Sequence, residues 1–361
     1  MILTEISNAR LISQKIDPPG FKTAKEIVSW MGAIQAQDYS MAKWAIGIRL
    51  NDTSDTIIES SIDRGEIIRI HILRPTWHFV SADDIYWMLQ LSSPKINSSL
   101  KSRHKQLELT ESVISKTNSI LERMLYGGTS LTRDELAGEF RKAGINTEAN
   151  RLSHILFRAE MDRIVCSGPK KENKLTYSLL QERVPDKKSL SKDESLAELA
   201  KRYFHSRCPA TLEDFIWWSN LSISDARKAI NSVKSDLFQE TIGKKSYLIP
   251  NTFSGKVPGN SSLYLLPAYD EFLISYKDRS SSLSSIYNKK TVSDNGIFHP
   301  SIVVNGQVAG LWKRTIQKNK VTIETDFFQQ PGKSTKSLIE KKIKNYGKFM
   351  DKETEILPKI L

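Results

Sequence analysis

One order of elements recurs along this chain, and it restricts the fold more than any single motif. Helices are followed by a β-hairpin, and this order appears three times, at intervals of about 90 residues. The middle copy is the cleanest. Thr132 followed by Glu135 makes a capping box, Leu136, Ala137 and Phe140 keep helical spacing, and Gly144 closes the helix. Glu148 to Met161 continues with Leu152, Ile155, Leu156 and Ala159 on one face. Arg163 to Cys166 and Lys174 to Leu179 then read as strands around a turn at Gly168 to Asn173. Helix, turn, helix and a basic-tipped hairpin is the order of a winged helix.

The first round comprises a helix from Ala24 to Met31, a helix capped by Thr53 or Ser54, and a strand pair over Glu66 to Val80. Ser81, Asp83 and Asp84 start a further helix, Ile85 to Leu91, and the serine-rich basic stretch 92–110 reads as an exposed connection. In the third round, Leu196, Leu199, Ala200 and Tyr203 share a helical face. A helix capped near Thr211 carries Phe215, Trp217 and Trp218, both tryptophans being expected in the core. Another helix starts at Ser222 or Ser224, and strands Phe238 to Ile242 and Ser246 to Ile249 flank Gly243-Lys244-Lys245. From Ser262 the texture turns to β, with Asn305-Gly306 as a strong hairpin signal and a last helix near Lys336 to Met350. Residue identities do not repeat, so the recurrence is architectural. The expected fold class is α+β: three tandem winged-helix domains, 1–92, 109–185 and 193–255, followed by a β-rich C-terminal domain with a closing helix, 262–361.

The charge balance narrows the partners. The formal net charge is +12, and from Leu311 to Met350 there are ten basic residues against three acidic. Such a surface suits a polyanion such as nucleic acid, although a merely solubilising surface is the plainer reading. The two cysteines, Cys166 and Cys208, lie far apart without a Cys-x-x-Cys or Cys/His cluster, so no metal site and a reducing compartment are expected. No secretory signal or spanning apolar stretch is read in the sequence, and a cytoplasmic, nucleoid-associated location is the expectation.

Within the first round, Ala33-Ile34-Gln35-Ala36-Gln37-Asp38 places two amides and an acid between apolar runs. Amides bounded this closely by apolar residues are costly unless their hydrogen bonds are used. The bland use is a helix end where they satisfy backbone groups. The sharper use is a site.

Four stretches carry a family likeness: Ala33 to Asp38, Leu73-Arg74-Pro75-Thr76-Trp77-His78-Phe79-Val80, Leu265-Leu266-Pro267-Ala268-Tyr269-Asp270-Glu271, and Asn305-Gly306-Gln307-Val308-Ala309-Gly310-Leu311-Trp312. In their order and spacing the chain resembles the AlkZ/YcaQ-type winged-helix DNA glycosylases, and Gln35-Ala36-Gln37 fits the Gln-x-Gln motif of the AlkZ-like branch. Pro75 stands where a small residue such as glycine is the expectation for that family. The resemblance implies tandem winged helices, a β-barrel, and removal of N7-alkylated purines, crosslinked bases included.

On this reading Gln35 and Gln37 orient a water at the anomeric carbon. Asp38 competes as a carboxylate facing the sugar cation, against a plain role as helix cap. Trp77 and His78 are candidates for a base pocket, against a core tryptophan beside a half-exposed histidine. Lys170, Lys171, Lys244, Lys245, Lys313 and Arg314, with His299, are candidates for DNA contact. Lys43 beside Trp44 reads as a surface residue, so a monofunctional glycosylase without strand cleavage is expected. Expected partners are double-stranded DNA with alkylated bases and no membrane. The protein is expected to be a monomer without cofactor or metal. The alternative is a winged-helix transcriptional regulator that binds DNA without chemistry; a protein-binding scaffold is the weaker third reading.

Overall fold

The computed structural model describes residues 3–186, 188–255 and 262–358; residues 1–2 and 359–361, the ends of the first and last expected domains, lie outside the described residues. The chain forms two compact units, Met1–Glu59 with Ala197–Leu361, and Ser60–Leu196.

The first unit opens with α1 (Leu3–Ser13), α2 (Ala24–Met31), the two-residue strand β1 (Ile34–Gln35), α3 (Tyr39–Gly47) and α4 (Asp55–Asp63), whose end runs into the second unit. Local chemistry sets these boundaries. Thr23 and Glu26 form a capping box at the start of α2, and Gly32, at φ 69°, ends the helix in a conformation that glycine adopts without a Cβ penalty. That turn sends the chain directly into β1. Gly47 lets α3 lie against the last helix of the chain, since a Cβ there would stand 2.5 Å from the Phe349 ring.

The second unit holds the hairpin β2 (Ile67–Ile72) and β3 (Thr76–Ser81), then α5 (Ile85–Gln106), α6 (Glu111–Leu125), β4 (Leu131–Thr132), α7 (Arg133–Lys142), α8 (Arg151–Met161), β5 (Val165–Ser167), β6 (Thr176–Leu179) and α9 (Leu180–Arg183). Strands β4, β6 and β5 form an antiparallel sheet in that order. Its core joins Leu121, Leu125, Leu136, Phe140, Ile155, Leu156 and Val165. The stretch 92–110 is corrected: α5 continues through Pro94 to Gln106, so residues 92–106 are helix and only 107–110 connect to α6. Serine-rich composition argued for a loop, yet Leu89, Ser92, Ser93, Ile96 and His104 are buried along the helix, so packing overrides propensity.

The first unit resumes through α10 (Lys192–Arg207), α11 (Leu212–Ser219), α12 (Ile223–Ser232) and the hairpin β7 (Leu237–Ile242) and β8 (Lys245–Pro250). Thr211 and Asp214 form the capping box of α11. Trp218 is buried, whereas Trp217 is 40% exposed. Adjacent positions on a helix point about 100° apart, so the expectation that both rings sit in the core is half right.

After β9 (Leu263–Leu266), α13 (Glu271–Ile274) and α14 (Asn288–Thr291) come β10 (Ser301–Val304), β11 (Gln307–Ile316), β12 (Lys320–Phe327), α15 (Lys333–Met350) and β13 (Glu353–Pro358). The strands order β13-β12-β11-β10-β9 in a curled half-barrel that stays open at its two edge strands. Pairing is antiparallel except for β12 with β13. Asn305 and Gly306, at φ 49° and 77°, make the tight turn between β10 and β11. Ile339, Ile343, Tyr346 and Phe349 on α15 are buried.

Candidate active site

The Gln-x-Gln stretch is not inside a helix. Gln35 ends β1, Gln37 lies in the turn that follows, and Asp38 is the N-cap of α3. Gln35 is 5% exposed, whereas Gln37 and Asp38 are exposed. Among the described residues no hydrogen bond holds the Gln37 side chain. The two amides therefore differ: one is seated in the core and the other meets solvent.

A buried polar network fixes the backbone under them. The N–H of Gln35 donates to Glu271 Oε1 at 2.8 Å. Glu271 Oε2 accepts from Arg207 Nη2 at 2.9 Å, from Trp218 Nε1 at 3.2 Å, and from the Ser275 hydroxyl. Arg207 Nη2 also donates to Ala33 O at 2.9 Å, and Nη1 to Met31 O and Ser206 Oγ, each at 2.7 Å. With Nε on Ser275 Oγ at 2.8 Å, all the guanidinium protons have acceptors. Both members of the pair are fully buried. Burying such a pair is tolerable when every donor and lone pair is used, and loss of one partner then costs about 3–5 kcal/mol.

A second pair braces the same corner. Arg49 and Asp270 meet bidentately, both N–O distances 2.9 Å, and the rest of the guanidinium donates to Gln14 O, Gln14 Oε1 and Ala45 O. Gln14 in turn donates to Glu271 O at 3.2 Å. Asp270 Oδ1 caps α13 through Phe272 N at 2.9 Å. Trp44 Nε1 donates to Leu265 O at 2.7 Å and Trp312 Nε1 to Leu266 O at 2.8 Å, while the Tyr346 ring meets both indoles edge-on. The Leu265–Glu271 stretch is thus bonded to the strand that bears Gln35, and the Asn305–Trp312 stretch is bonded in turn to Leu266.

Asp38 Oδ1 accepts from Met41 N at 3.0 Å, the bond of a helix cap. Its negative charge reaches Tyr269, whose phenol is pushed up first by burial and then by Asp38. One turn into α3, Lys43 is buried. Its Nζ lies 2.6 Å from Asp55 and 2.7 Å from Glu59. The surface reading of Lys43 is corrected; an ammonium on an otherwise apolar helix is buried because two carboxylates of α4 neutralise it. The Tyr39 hydroxyl donates to Glu59 as well.

The remaining candidates lie on several elements. Within the second unit, Arg69, His71 and Trp77 share one face of the β2–β3 hairpin; the Trp77 ring is 3.8 Å from the His71 ring and 4.0 Å from the Arg69 guanidinium. Trp77 is half-buried and His78 fully buried, its Nδ1 2.8 Å from Thr76 O, the reverse of a core tryptophan with a half-exposed histidine. Lys170 is half-buried, and its N–H donates to Asp63 at 3.0 Å. Lys171 pairs with Glu135 at 2.6 Å, and that lysine with the Thr132 cap holds the Glu135 carboxyl down at about 2.

In the first unit, Lys245 is paired with Asp278, whereas Lys244 is exposed and has no partner among the described residues. His299 and Lys313 line one cleft of 260 Å³ with Lys290, Trp312, Thr325 and Asp326, while Arg314 donates to the Tyr346 hydroxyl. Glu271, Arg207 and Arg49 were not singled out from sequence. A pair of acids inside the apolar run Leu265 to Ile274 was the available signal.

Comparison with known proteins follows this geometry. The family model described as "DNA glycosylase AlkZ-like" matches residues 28–349. A curated relative, the interstrand DNA cross-link repair glycosylase of Streptomyces sahachiroi, is 22% identical over 348 residues, 90% of this chain and 91% of that protein. The solved structure of Streptomyces sahachiroi DNA glycosylase AlkZ superposes with a TM-score of 0.80 at 18% identity, covering 99% of this chain and all of that one, a likeness of fold.

Proposed function

The chain belongs to the AlkZ-like DNA glycosylase family, and on that premise we propose that it hydrolyses the N-glycosidic bond of N7-substituted purines in double-stranded DNA, crosslinked purines included. The relative from Streptomyces carries the name of a cross-link repair glycosylase, which supports the second part. The observation that carries the reading is the Gln35–Gln37 turn, in which Glu271 holds the backbone N–H of Gln35 and the Gln37 side chain is open to solvent.

An N7-alkylated purine is cationic and leaves readily. As the C1′–N9 bond breaks, N9 takes the electron pair and the base departs neutral. Water then adds to C1′ and gives up a proton to solvent. The protein's task is to hold that water on the open face of C1′ and to favour the cationic sugar over the ground state. A carboxamide is no base at neutral pH, but its carbonyl accepts and its NH₂ donates, so two of them orient one water. Gln35 and Gln37 take that role. Asp38 is a positioning residue that caps α3 and holds the turn. Lys43, engaged by two carboxylates, is not presented as a nucleophile, so the enzyme acts without a Schiff base and without strand cleavage.

We read the helix–helix–hairpin rounds as three winged helices that carry the duplex, with Lys244 and Lys313 as phosphate contacts and Lys171 and Lys245 weakened by their ion pairs. His299 supports Lys313 at the same cleft, and Trp77 stacks on a base. The protein acts as a monomer in the cytoplasm; among the described residues no helix is long and apolar enough to cross a membrane. The test is incubation with N7-methylguanine DNA and with a defined crosslinked duplex, scored for free base and alkali-labile sites. Release of base with intact strands supports the reading, and binding without release supports the regulator instead.

A further inference from the structure

The uncovered face of α12 leads to a surface that the catalytic reading does not use. Ile223, Ser224, Arg227, Lys228 and Asn231 recur along one side of this helix and are all exposed. Ile223 is 57% exposed, an apolar side chain with nothing over it. Beside the helix lies an open cleft of about 970 Å³ between α11, α12, the β7–β8 hairpin and residues 277–278. Arg227, Lys234, Lys244, Lys245 and Lys277 line it, against Glu213, Asp214 and Asp278.

The charges are not balanced pairwise. Asp278 is taken by Lys245. Asp214 accepts the backbone N–H groups of Lys277 and Thr211 and faces the buried Arg10. Among the described residues no acceptor holds the side chains of Arg227, Lys234, Lys244 or Lys277, and only Glu213 faces them without a cation of its own. Surface cations left without carboxylates, grouped around one helix, are what a polyanion requires.

We propose that α12 is the element that enters the major groove of the DNA duplex, with Arg227 and Asn231 toward base edges and Lys234, Lys244 and Lys277 on the flanking phosphates. This rests on the DNA-directed reading above and adds a contact surface to it. An α-helix with its side chains is about 10–12 Å across, which matches the B-form major groove at about 12 Å. Arginine and asparagine are the side chains that pair bidentately with guanine and adenine there. The deep, narrow major groove of A-form RNA does not admit a helix. The Lys245–Asp278 pair sets an internal contrast between neighbouring lysines on one hairpin.

The experiment measures binding of the full chain to a short undamaged DNA duplex across a salt series. Lys234→Ala with Lys244→Ala should weaken binding at low salt about tenfold and flatten the slope of log affinity against log salt by about 2. Lys245→Ala should do much less than Lys244→Ala, and Arg227→Ala should reduce the spread of affinities among duplexes of different sequence. Equal losses for Lys244→Ala and Lys245→Ala, unchanged binding in the double variant, or equal affinity for an RNA duplex of the same sequence would each overturn the proposal. Base release by wild type from N7-methylguanine DNA is scored separately. Its absence would fail the glycosylase reading while leaving the binding result to decide the role of α12.

Discussion

Glu271 Oε1 accepts the backbone N–H of Gln35 at 2.8 Å, across 236 positions of sequence. The other oxygen of the same carboxylate binds Arg207, which also holds the carbonyls of Met31 and Ala33. One buried ion pair therefore sets the path of the strand that ends at the candidate site. Glu271→Ala leaves Arg207 charged and buried without its partner. The expected cost is about 3–5 kcal/mol in urea unfolding, with loss of base release in whatever fraction stays folded. A loss below 1 kcal/mol, on the order of an exposed pair, would show that the network does not hold the strand.

Asp38 separates two roles by a conservative change. Asp38→Asn keeps an acceptor for Met41 N–H, whereas Asp38→Ala removes the cap and should cost about 1 kcal/mol. If the residue acts only by capping, the asparagine variant keeps base release within a few-fold of wild type. A drop of about a hundredfold in the asparagine variant would assign its charge to the chemistry.

Lys43 is expected to be structural. Lys43→Met leaves Asp55 and Glu59 without their shared ammonium and should cost about 1–3 kcal/mol. Borohydride added during turnover should trap no covalent protein–DNA adduct in wild type. A trapped adduct that disappears in the methionine variant would make Lys43 a nucleophile and the enzyme bifunctional.

The second unit carries a pH-dependent element. His104 and His154 meet edge-on with ring centroids 5.4 Å apart, and His104 Nε2 and His154 Nδ1 are buried without a hydrogen-bond partner among the described residues. Burial lowers both imidazoles below their usual value; for His104 the neighbouring His154 and Arg158 lower it further against Glu111 and Asp162, and for His154 Arg103 adds to burial. A depressed folded value means that the unfolded chain takes up protons first as pH falls below about 6.5. Stability is therefore full above that pH and declines on acidification. The urea midpoint should fall between neutral and mildly acid buffer, and His104→Gln with His154→Gln should flatten that fall. An identical fall in the double variant would place the sensitivity elsewhere.

What the sequence makes legible is local. The capping boxes at Thr132 and Thr211 and the Asn305-Gly306 turn stand where residue chemistry puts them, because each depends on neighbours within a few positions. The Gln35–Gln37 stretch was identifiable as amides in an apolar setting, but its anchor was not, since Glu271 and Arg207 reach it only through the folded chain. Helix α5 departs from the sequence expectation for a related reason: serines and lysines resemble a loop until the buried face of the helix finds a partner. Lys43 departs from its surface expectation because its neutralising acids sit on another helix.

Release of free base from N7-methylguanine duplex by wild type and by the Gln35→Ala, Gln37→Ala double variant tests the central claim most directly. Both proteins should be folded at the assay temperature, the variant melting somewhat lower because Gln35 is buried, and should bind undamaged duplex alike, while the variant loses about a hundredfold or more in the single-turnover rate, the scale expected when a reacting water is no longer positioned. Equal rates from the two proteins, with the fold of both intact, would contradict the claim.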